Sequence, residues 1–142
     1  MRDILPDPVY AEPLKSYALA LYSTAAAYSL GKGLILADTK FEFGLLPSAD
    51  PSKPATLMLV DECLTPDSSR YWPAQTWSEG TRMVGFDKQY LREWLKNGGG
   101  GFGKKGGGID EDPVLIPDDV VQATWGKYQE AFEMITGRKF VP

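Results

Sequence analysis

The sequence contains no histidine, and Cys63 is its only cysteine. Without histidine, catalysis by a Ser-His-Asp or Cys-His arrangement is excluded, and so is histidine-ligated zinc. A single cysteine excludes an internal disulfide and a Cys-x-x-Cys metal site, and with no histidine to activate it Cys63 is best interpreted as a small buried apolar residue. Any bound metal must therefore have oxygen ligands, which favours magnesium, calcium or manganese.

Long hydrophobic runs and an excess of basic charge are also missing. The most apolar stretch, residues 17–30, is too short to span a bilayer and is interrupted by serine and threonine. The residues before it are acidic, which does not fit a secretory signal. A formal charge of −4 disfavours nucleic acid as a partner, although a local cluster of Lys and Arg still permits a small anionic ligand. We expect a cytoplasmic location, with neither nucleic acid nor a membrane as partner.

What is present is a chain of 142 residues, 43% of them hydrophobic, which is enough for one domain with a core. Residues 1–13 contain three prolines and are expected to form an irregular lead-in. From Leu14, apolar residues recur at three- and four-residue spacing, which predicts an amphipathic helix that ends at Gly31. A similar pattern predicts a last helix that begins after Pro117, with Asp118 or Asp119 as its cap, and ends at Gly137. The apolar stripe predicted to face the core on this helix consists of Val121, Thr124, Tyr128, Ala131, Phe132 and Ile135.

Strands are predicted between these two helices. Residues 34–43 pass from an apolar run into alternating polar and apolar residues, and residues 56–60 form a second apolar run after a turn-rich stretch. Residues 65–85 are expected to be irregular, and eight glycines within residues 97–108 predict a flexible loop. The sequence therefore predicts an α+β fold in which an antiparallel β-hairpin or sheet packs with flanking helices.

The most informative polar pattern is the row of Asp38, Lys40 and Glu42, which strand geometry places on one face of residues 34–43. If the hairpin is antiparallel, Asp61 falls opposite the end of this row. Facing carboxylates beside a lysine repel one another unless a cation lies between them, so magnesium bound to a nucleotide phosphate explains the pattern. On pattern alone, a solvated strand face with surface ion pairs is the commoner explanation.

Two further polar clusters suit an anionic ligand. Asp67, Ser68 and Ser69 follow the second apolar run and can hydrogen-bond a sugar or an imidazole, and Arg70 can fork a phosphate, although Pro-Asp-Ser-Ser is also ordinary turn chemistry. Lys88 and Arg92 lie one turn apart on a short helix that is predicted to begin at Asp87. An anion would relieve their repulsion, and a plain solvated face explains them as well.

Considered together, these segments resemble the SAICAR synthetase family in their order and spacing. The matching stretches read GLILADTKFEFG at 33–44, VDECLTPDSSRYW at 60–72 and FDKQYLR at 86–92, and KYQEAFEMITG at 127–137 resembles the family's last helix. Members of that family are about twice as long as this chain. The resemblance therefore implies that residues 1–142 form a C-terminal half, without the N-terminal half that encloses the adenine of ATP.

The resemblance also implies an activity, that of an ATP-dependent ligase of de novo purine biosynthesis. The ligase phosphorylates the carboxylate of carboxyaminoimidazole ribotide with ATP, and the amine of L-aspartate then displaces the phosphate to leave an amide. The implied site residues are Glu42 and Asp61 for magnesium at the nucleotide phosphates, Lys40 for phosphate with Asp38 in support, and Asp67, Ser69, Arg70, Lys88 and Arg92 for the ribotide.

Three hypotheses describe the chain itself. It is a fragment that is inactive alone, one half of a split enzyme with a complementing N-terminal half as partner, or a non-catalytic interaction module that retains the fold. The presence of all the acidic and basic site residues together argues against the third. The fragment hypothesis predicts an exposed apolar face that lies against the other half in longer members of the family.

Overall fold

The structure is a computed structural model that describes residues 7–80, 85–86, 89–99 and 115–141. The helices are α1 (Ala11–Gly31), α2 (Gln89–Lys96) and α3 (Asp118–Thr136), and the strands are β1 (Leu34–Thr39), β2 (Glu42–Leu46), β3 (Thr56–Val60) and β4 (Ser69–Pro73). Short 3-10 turns at Pro8–Tyr10 and Ala74–Thr76 complete the order. These elements confirm the predicted α+β class. Among the described residues, no helix is long and apolar enough to cross a membrane.

Helix α1 begins at Ala11, so the irregular lead-in is shorter than the predicted residues 1–13. The Asp7 carboxylate accepts a hydrogen bond of 2.9 Å from the Val9 amide and caps the preceding 3-10 turn. Pro13 lies in the first turn of the helix, where its missing N–H would have no intrahelical partner in any case. The helix therefore continues the 3-10 turn without a break, and Pro13 does not delay it.

The predicted hairpin is confirmed. β2 and β3 are antiparallel, with Glu42 opposite Val60 and Leu46 opposite Thr56. A second antiparallel pair joins β1 to β4, with Leu34 opposite Pro73. The described residues thus contain two separate two-stranded sheets.

The prediction that residues 65–85 are irregular was wrong, because they include β4. This strand carries Arg70, Tyr71 and Trp72, and aromatic residues favour strands when they have a partner to pack against. Pro73 is its last residue, a position where a missing N–H disrupts little of the ladder. The signal was missed because the strand depends on its pairing with β1, far back in the chain.

The single strand predicted for residues 34–43 was also wrong. The chain leaves β1 at Thr39 and enters β2 at Glu42, and β1 itself shifts register between Leu36 and Asp38. Asp38 and Glu42 therefore belong to different sheets, and strand periodicity does not place them on one face. The proximity of Lys40 to Glu42 comes from the bend between the two strands instead.

The core lies between the β1–β4 sheet and the two long helices. Leu34, Leu36, Tyr71, Phe86 and Ala131 are buried there. The Tyr71 hydroxyl donates a hydrogen bond of 2.8 Å to the Leu64 carbonyl, and burial raises the pKa of this tyrosine. β1 is thus clamped between β4 and the helices, which holds its polar end in place.

Helix α3 begins directly after Pro117 and ends at Gly137, which has a φ of 69°, as predicted. Its two acidic first-turn residues make no side-chain cap, so the capping role predicted for them is not seen. The stripe on this helix buries Val120 and leaves Val121 45% exposed, the reverse of the prediction at this end. The predicted start of the short helix at Asp87, with Lys88 after it, lies outside the described residues, as does most of the glycine-rich loop.

Candidate active site

A polar cavity of about 460 Å³ lies where the polar ends of β1 and β3 and the first residues of β4 meet α2. The residues that line it are Asp38, Lys40, Asp61, Glu62, Asp67, Ser68, Ser69, Arg70, Gln89 and Arg92. The structure therefore brings together all the predicted site residues except two. Glu42 contacts the cavity only through Lys40, and Lys88 lies outside the described residues.

Two residues with an unusual backbone conformation follow β3, where the cavity wall begins. Asp61 has a φ of 64° and Leu64 a φ of 62°, the left-handed region that non-glycine residues seldom adopt. Aspartate tolerates this region better than most residues, because its short side chain can bond locally. Such strain persists where the surrounding structure imposes it, and it concentrates at functional sites. Here it reverses the chain, so that residues 65–68 return to the end of β1.

The returning loop is held by its own hydrogen bonds. The Thr65 amide donates to the Ser68 hydroxyl at 3.1 Å, and the Ser68 and Ser69 amides both donate to the Thr65 carbonyl, at 3.1 and 2.9 Å. The Ser69 side chain is 4% exposed, and its hydroxyl lies 2.8 Å from that of Thr39 on β1. The loop is therefore a preformed wall of the cavity that is hydrogen-bonded to the neighbouring strand.

Arg70 forms a two-pronged ion pair with Asp38 across the β1–β4 sheet. Its Nε donates to the Asp38 carboxylate at 2.8 Å, and a terminal nitrogen donates to the second carboxylate oxygen. The hydrogen bond from Arg70 holds the pKa of Asp38 below its usual value. Both residues are about half exposed, so water screens the pair. The result is a guanidinium with a fixed orientation at the cavity wall.

Lys40 is a cation of the site whose charge is stabilised by acidic neighbours. Its ammonium is ion-paired with the Glu42 carboxylate, and this hydrogen bond, reinforced by the charges of Glu42, Asp61 and Glu62, raises the pKa of Lys40. A raised pKa keeps the lysine protonated throughout the neutral range. Lys40 thus suits the binding of an anion, and it is poorly suited to accept a proton.

The acidic residues of the site supply oxygen ligands only. Within the described part of the chain, no group of three or more acidic, cysteine or histidine residues forms a complete metal cluster. Glu42 and Asp61 both lie near Lys40, Glu42 as the first residue of β2 and Asp61 directly after β3. Magnesium is often held by one or two carboxylates, with water and substrate phosphates as the remaining ligands. The side chains present therefore fit magnesium that is shared with a phosphate.

Sequence reasoning did not assign Glu62 or Gln89 to the site, and it named Ser68 only as a group able to hydrogen-bond a sugar or an imidazole. Glu62 directly follows Asp61, and Ser68 belongs to the same Pro-Asp-Ser-Ser stretch as Asp67. Gln89 lies three residues before Arg92 on α2, so both occupy one face of that helix. The three-residue spacing between Gln89 and Arg92 was the sequence signal that could have assigned Gln89 to the site.

A second, apolar cavity lies between α1 and the β2–β3 hairpin. This apolar groove has a volume of about 680 Å³, and its walls include Tyr17, Leu21, Tyr28, Phe43, Leu57 and Leu59. The opposite face of β3 carries Met58 and Val60, which are 44% and 37% exposed. A strand that is apolar on both faces is typical of a strand covered on both sides. Within the described part of the chain, more of the hairpin's surface is therefore apolar than neighbouring residues cover.

The fold and the two cavities define a class, an α+β domain with a charged, oxygen-rich site beside an uncovered apolar groove. The model of the SAICAR synthetase family matches residues 5–106, and the chain belongs to this family. This membership confirms the resemblance found in the sequence.

Similar proteins support the same family. The phosphoribosylaminoimidazole-succinocarboxamide synthase of Corynebacterium ammoniagenes is 47% identical over 92% of this chain and 41% of its own length. That of Methylibium petroleiphilum is 46% identical, over 96% of this chain and 42% of its own. The chain thus spans about two fifths of the length of these curated relatives.

Solved structures show the same partial match. The SAICAR synthase of Saccharomyces cerevisiae, described as complexed with SAICAR, is 37% identical with a TM-score of 0.75, over 99% of this chain and 42% of that one. A SAICAR synthetase described as in complex with ADP is 26% identical with a TM-score of 0.61, over 96% of this chain and 42% of that one. The α+β fold is therefore that of the family.

Proposed function

We propose that this chain supplies one side of the active site of a SAICAR synthetase, the ATP-dependent ligase that joins L-aspartate to carboxyaminoimidazole ribotide. The observation that carries the proposal is the polar cavity, where Lys40, Arg70 and Arg92 lie beside Asp61 and Glu62. Fixed cations beside oxygen ligands are what phosphoryl transfer requires, because charge builds on the phosphate oxygens. The ligands named for the solved relatives, SAICAR and ADP, agree with this chemistry.

The reaction has two steps. The ribotide carboxylate attacks the γ-phosphate of ATP, which forms an acyl phosphate and releases ADP. The amine of L-aspartate then attacks the acyl carbon, phosphate leaves, and the amine loses a proton to give the amide. Both steps build negative charge on phosphate oxygens, and preorganised cations stabilise such charge.

The proposed roles are those that the family resemblance implies, and the positions of the described residues support them. Glu42 and Asp61 would hold magnesium, which neutralises phosphate charge when it is bound. Lys40, kept protonated by its acidic neighbours, binds a phosphate oxygen, with Asp38 orienting Arg70 beside it. The remaining residues proposed to hold the ribotide are Asp67, Ser69, Arg70, Arg92 and Lys88.

We also propose that the chain is inactive alone and needs a complementing polypeptide that corresponds to the rest of the family's length. Two observations support this: the chain spans about two fifths of its relatives, and the apolar groove lies uncovered between α1 and the hairpin. Uncovered apolar patches of this size mark an interaction surface. A cytoplasmic location is proposed on the basis of the chain's single cysteine, which forms no disulfide.

The decisive experiment is an assay of ADP release with magnesium, ATP, L-aspartate and carboxyaminoimidazole ribotide. The chain is assayed alone and mixed with the part of the Corynebacterium ammoniagenes relative that has no counterpart here. We expect multiple-turnover ADP release in the mixture only, and only when both aspartate and ribotide are present. Activity from the chain alone would contradict the need for a complementing part.

A matched pair of variants localises the activity. Arg92→Gln removes a cation of the cavity, whereas Arg138→Gln removes one from the exposed chain beyond α3. We expect the first to lose most of the activity and the second to keep it. Equal activities in the two variants would show that the cavity takes no part in the reaction. A folded complex without any ligation would instead favour the non-catalytic interaction module, for which the apolar groove is the supporting observation.

A further inference from the structure

A hydrogen bond links the last helix to the polar cavity. The Tyr128 hydroxyl on α3 donates to the Asp67 carboxylate at 2.7 Å, although the two residues are 61 positions apart. Asp67 lines the polar cavity, whereas Tyr128 lines a separate apolar pocket of about 340 Å³ behind residues 64–66. Tyr128 therefore reaches the site from outside, through the loop that forms its wall.

The backbone of this loop does not depend on Tyr128. Thr65 and Ser68 bond to one another through both main-chain and side-chain groups, and the Ser69 amide bonds to the Thr65 carbonyl. Among the described residues, the hydroxyl of Tyr128 is the side-chain group bonded to the Asp67 carboxylate. What Tyr128 determines is thus the orientation of that carboxylate, and the turn beneath it is already fixed.

Tyr128 itself is held rigidly. Ala131, one turn further along α3 on the same face, is fully buried in the core. Lys127 places its ammonium 5.3 Å from the ring centre of Phe86, which adds a second anchor for this part of the helix. A donor carried by an anchored helix fixes its acceptor more accurately than a donor on a loop would.

We propose that Tyr128 is a positioning residue, which holds one carboxylate oxygen of Asp67 so that the other is aimed to accept a hydrogen bond from an N–H or O–H group of the bound ribotide. The part of this inference that concerns the ligand rests on the proposed function. The orientation of Asp67 by Tyr128 does not. The sequence alone suggested only a core position for Tyr128, within the apolar stripe of the last helix.

The orientation is tested on the chain as it stands by nuclear magnetic resonance of the Asp67 carboxyl carbon. Tyr128→Phe keeps the ring in its pocket and removes only the hydroxyl. The matched control is Tyr10→Phe, whose hydroxyl bonds the Ala55 carbonyl at 3.1 Å, at the end of β3 remote from the cavity. We expect the Asp67 carboxyl resonance to move in Tyr128→Phe alone, while the amide resonances of Thr65, Ser68 and Ser69 stay in place. An unmoved Asp67 resonance would overturn the proposal.

The consequence for the ligand is tested in the complemented enzyme. Tyr128→Phe is expected to raise the KM for the ribotide about tenfold, the scale of one hydrogen bond to a charged group, with kcat and the KM for ATP unchanged. Tyr10→Phe is expected to change none of these. Equal rises in both KM values would indicate general loosening and overturn the positioning role. If the complemented wild type does not ligate at all, the proposed function fails, and the resonance measurement still decides whether Tyr128 orients Asp67.

Discussion

The polar cavity and the apolar groove differ in how far their side chains satisfy one another. In the cavity, Asp38 is paired with Arg70, Lys40 with Glu42, and the Ser69 hydroxyl has a partner across the sheet. In the groove, large apolar side chains on α1 and the hairpin face open space, Tyr17 being 51% exposed. The comparison teaches that, within the described part of the chain, the polar side chains of the cavity satisfy one another, whereas the apolar side chains of the groove are left without a cover.

The two regions are connected through β3. Leu57 and Leu59 on this strand wall the groove, and Asp61, directly after it, enters the cavity. The hairpin is a separate two-stranded sheet, and such a sheet is only marginally stable without packing. Covering the groove would therefore stabilise the hairpin and, with it, the position of Asp61 relative to Arg70 on the other sheet. This connection explains physically how a complementing part would influence the site.

The largest effect is expected from charge removal in the cavity. Asp61→Asn should lower kcat of the complemented enzyme about 10²–10³-fold, since the magnesium proposed to neutralise phosphate charge would lose a carboxylate ligand. Asparagine tolerates the same left-handed φ, so the variant tests the charge and leaves the backbone alone. The control is Asp50→Asn, in the loop at the other end of the hairpin. Steady-state kinetics of both variants give the comparison, and near-normal turnover in Asp61→Asn would refute the magnesium assignment.

The next effect separates the core from the groove. Leu34→Ala should lower the free energy of unfolding by about 3 kcal/mol, because this side chain is fully buried. Leu57→Ala, in the half-covered groove, should cost less than about 1 kcal/mol in the isolated chain. Urea denaturation measures both values. Equal losses would show that the groove is packed as tightly as the core.

A smaller effect is expected on assembly. Tyr17→Lys places a charge in the groove and should weaken association with the complementing part about tenfold, since an aromatic contact is lost. Leu19→Lys changes the same helix outside the groove, at a residue that is 56% exposed, and should change the affinity less than about twofold. Titration calorimetry provides the dissociation constants. If the two variants weaken binding equally, the complementing part does not dock in the groove.

The smallest effect concerns the pH dependence of stability. The pKa of Asp38 is lowered in the folded state, so its contribution to stability is fully present above the usual aspartate pKa of 3.8 and is lost as the pH falls through the folded-state pKa. The exposed pair contributes only about 0.5 kcal/mol. The free energy of unfolding should fall less between pH 7 and pH 3 in Asp38→Asn than in the wild type, by about 0.5 kcal/mol. An identical acid response in the wild type and the variant would show that the pair contributes no stability.

Predictions based on local patterns succeeded where the pattern itself stabilises the element. The hairpin and the left-handed end of α3 at Gly137 follow from alternation and from the freedom of glycine, and both are confirmed. β4 was missed because Arg70, Tyr71 and Trp72 carry no alternation, and the strand forms by pairing with β1. The break between β1 and β2 was missed for a related reason. Polar and apolar residues alternate through the break, although β1 and β2 belong to different sheets.

The sequence by itself determined the chemistry available to this protein: no histidine, one cysteine, carboxylate oxygens with basic residues close to them in the chain, and a series of motifs that resemble those of the family. It also picked out most of the residues that line the polar cavity. Only the tertiary structure decided that Asp38 pairs with Arg70, 32 positions away, and that Tyr128 reaches Asp67 across 61. The physical reason is that residue type and local periodicity are properties of neighbours in the chain. A contact between distant residues depends on how whole elements pack.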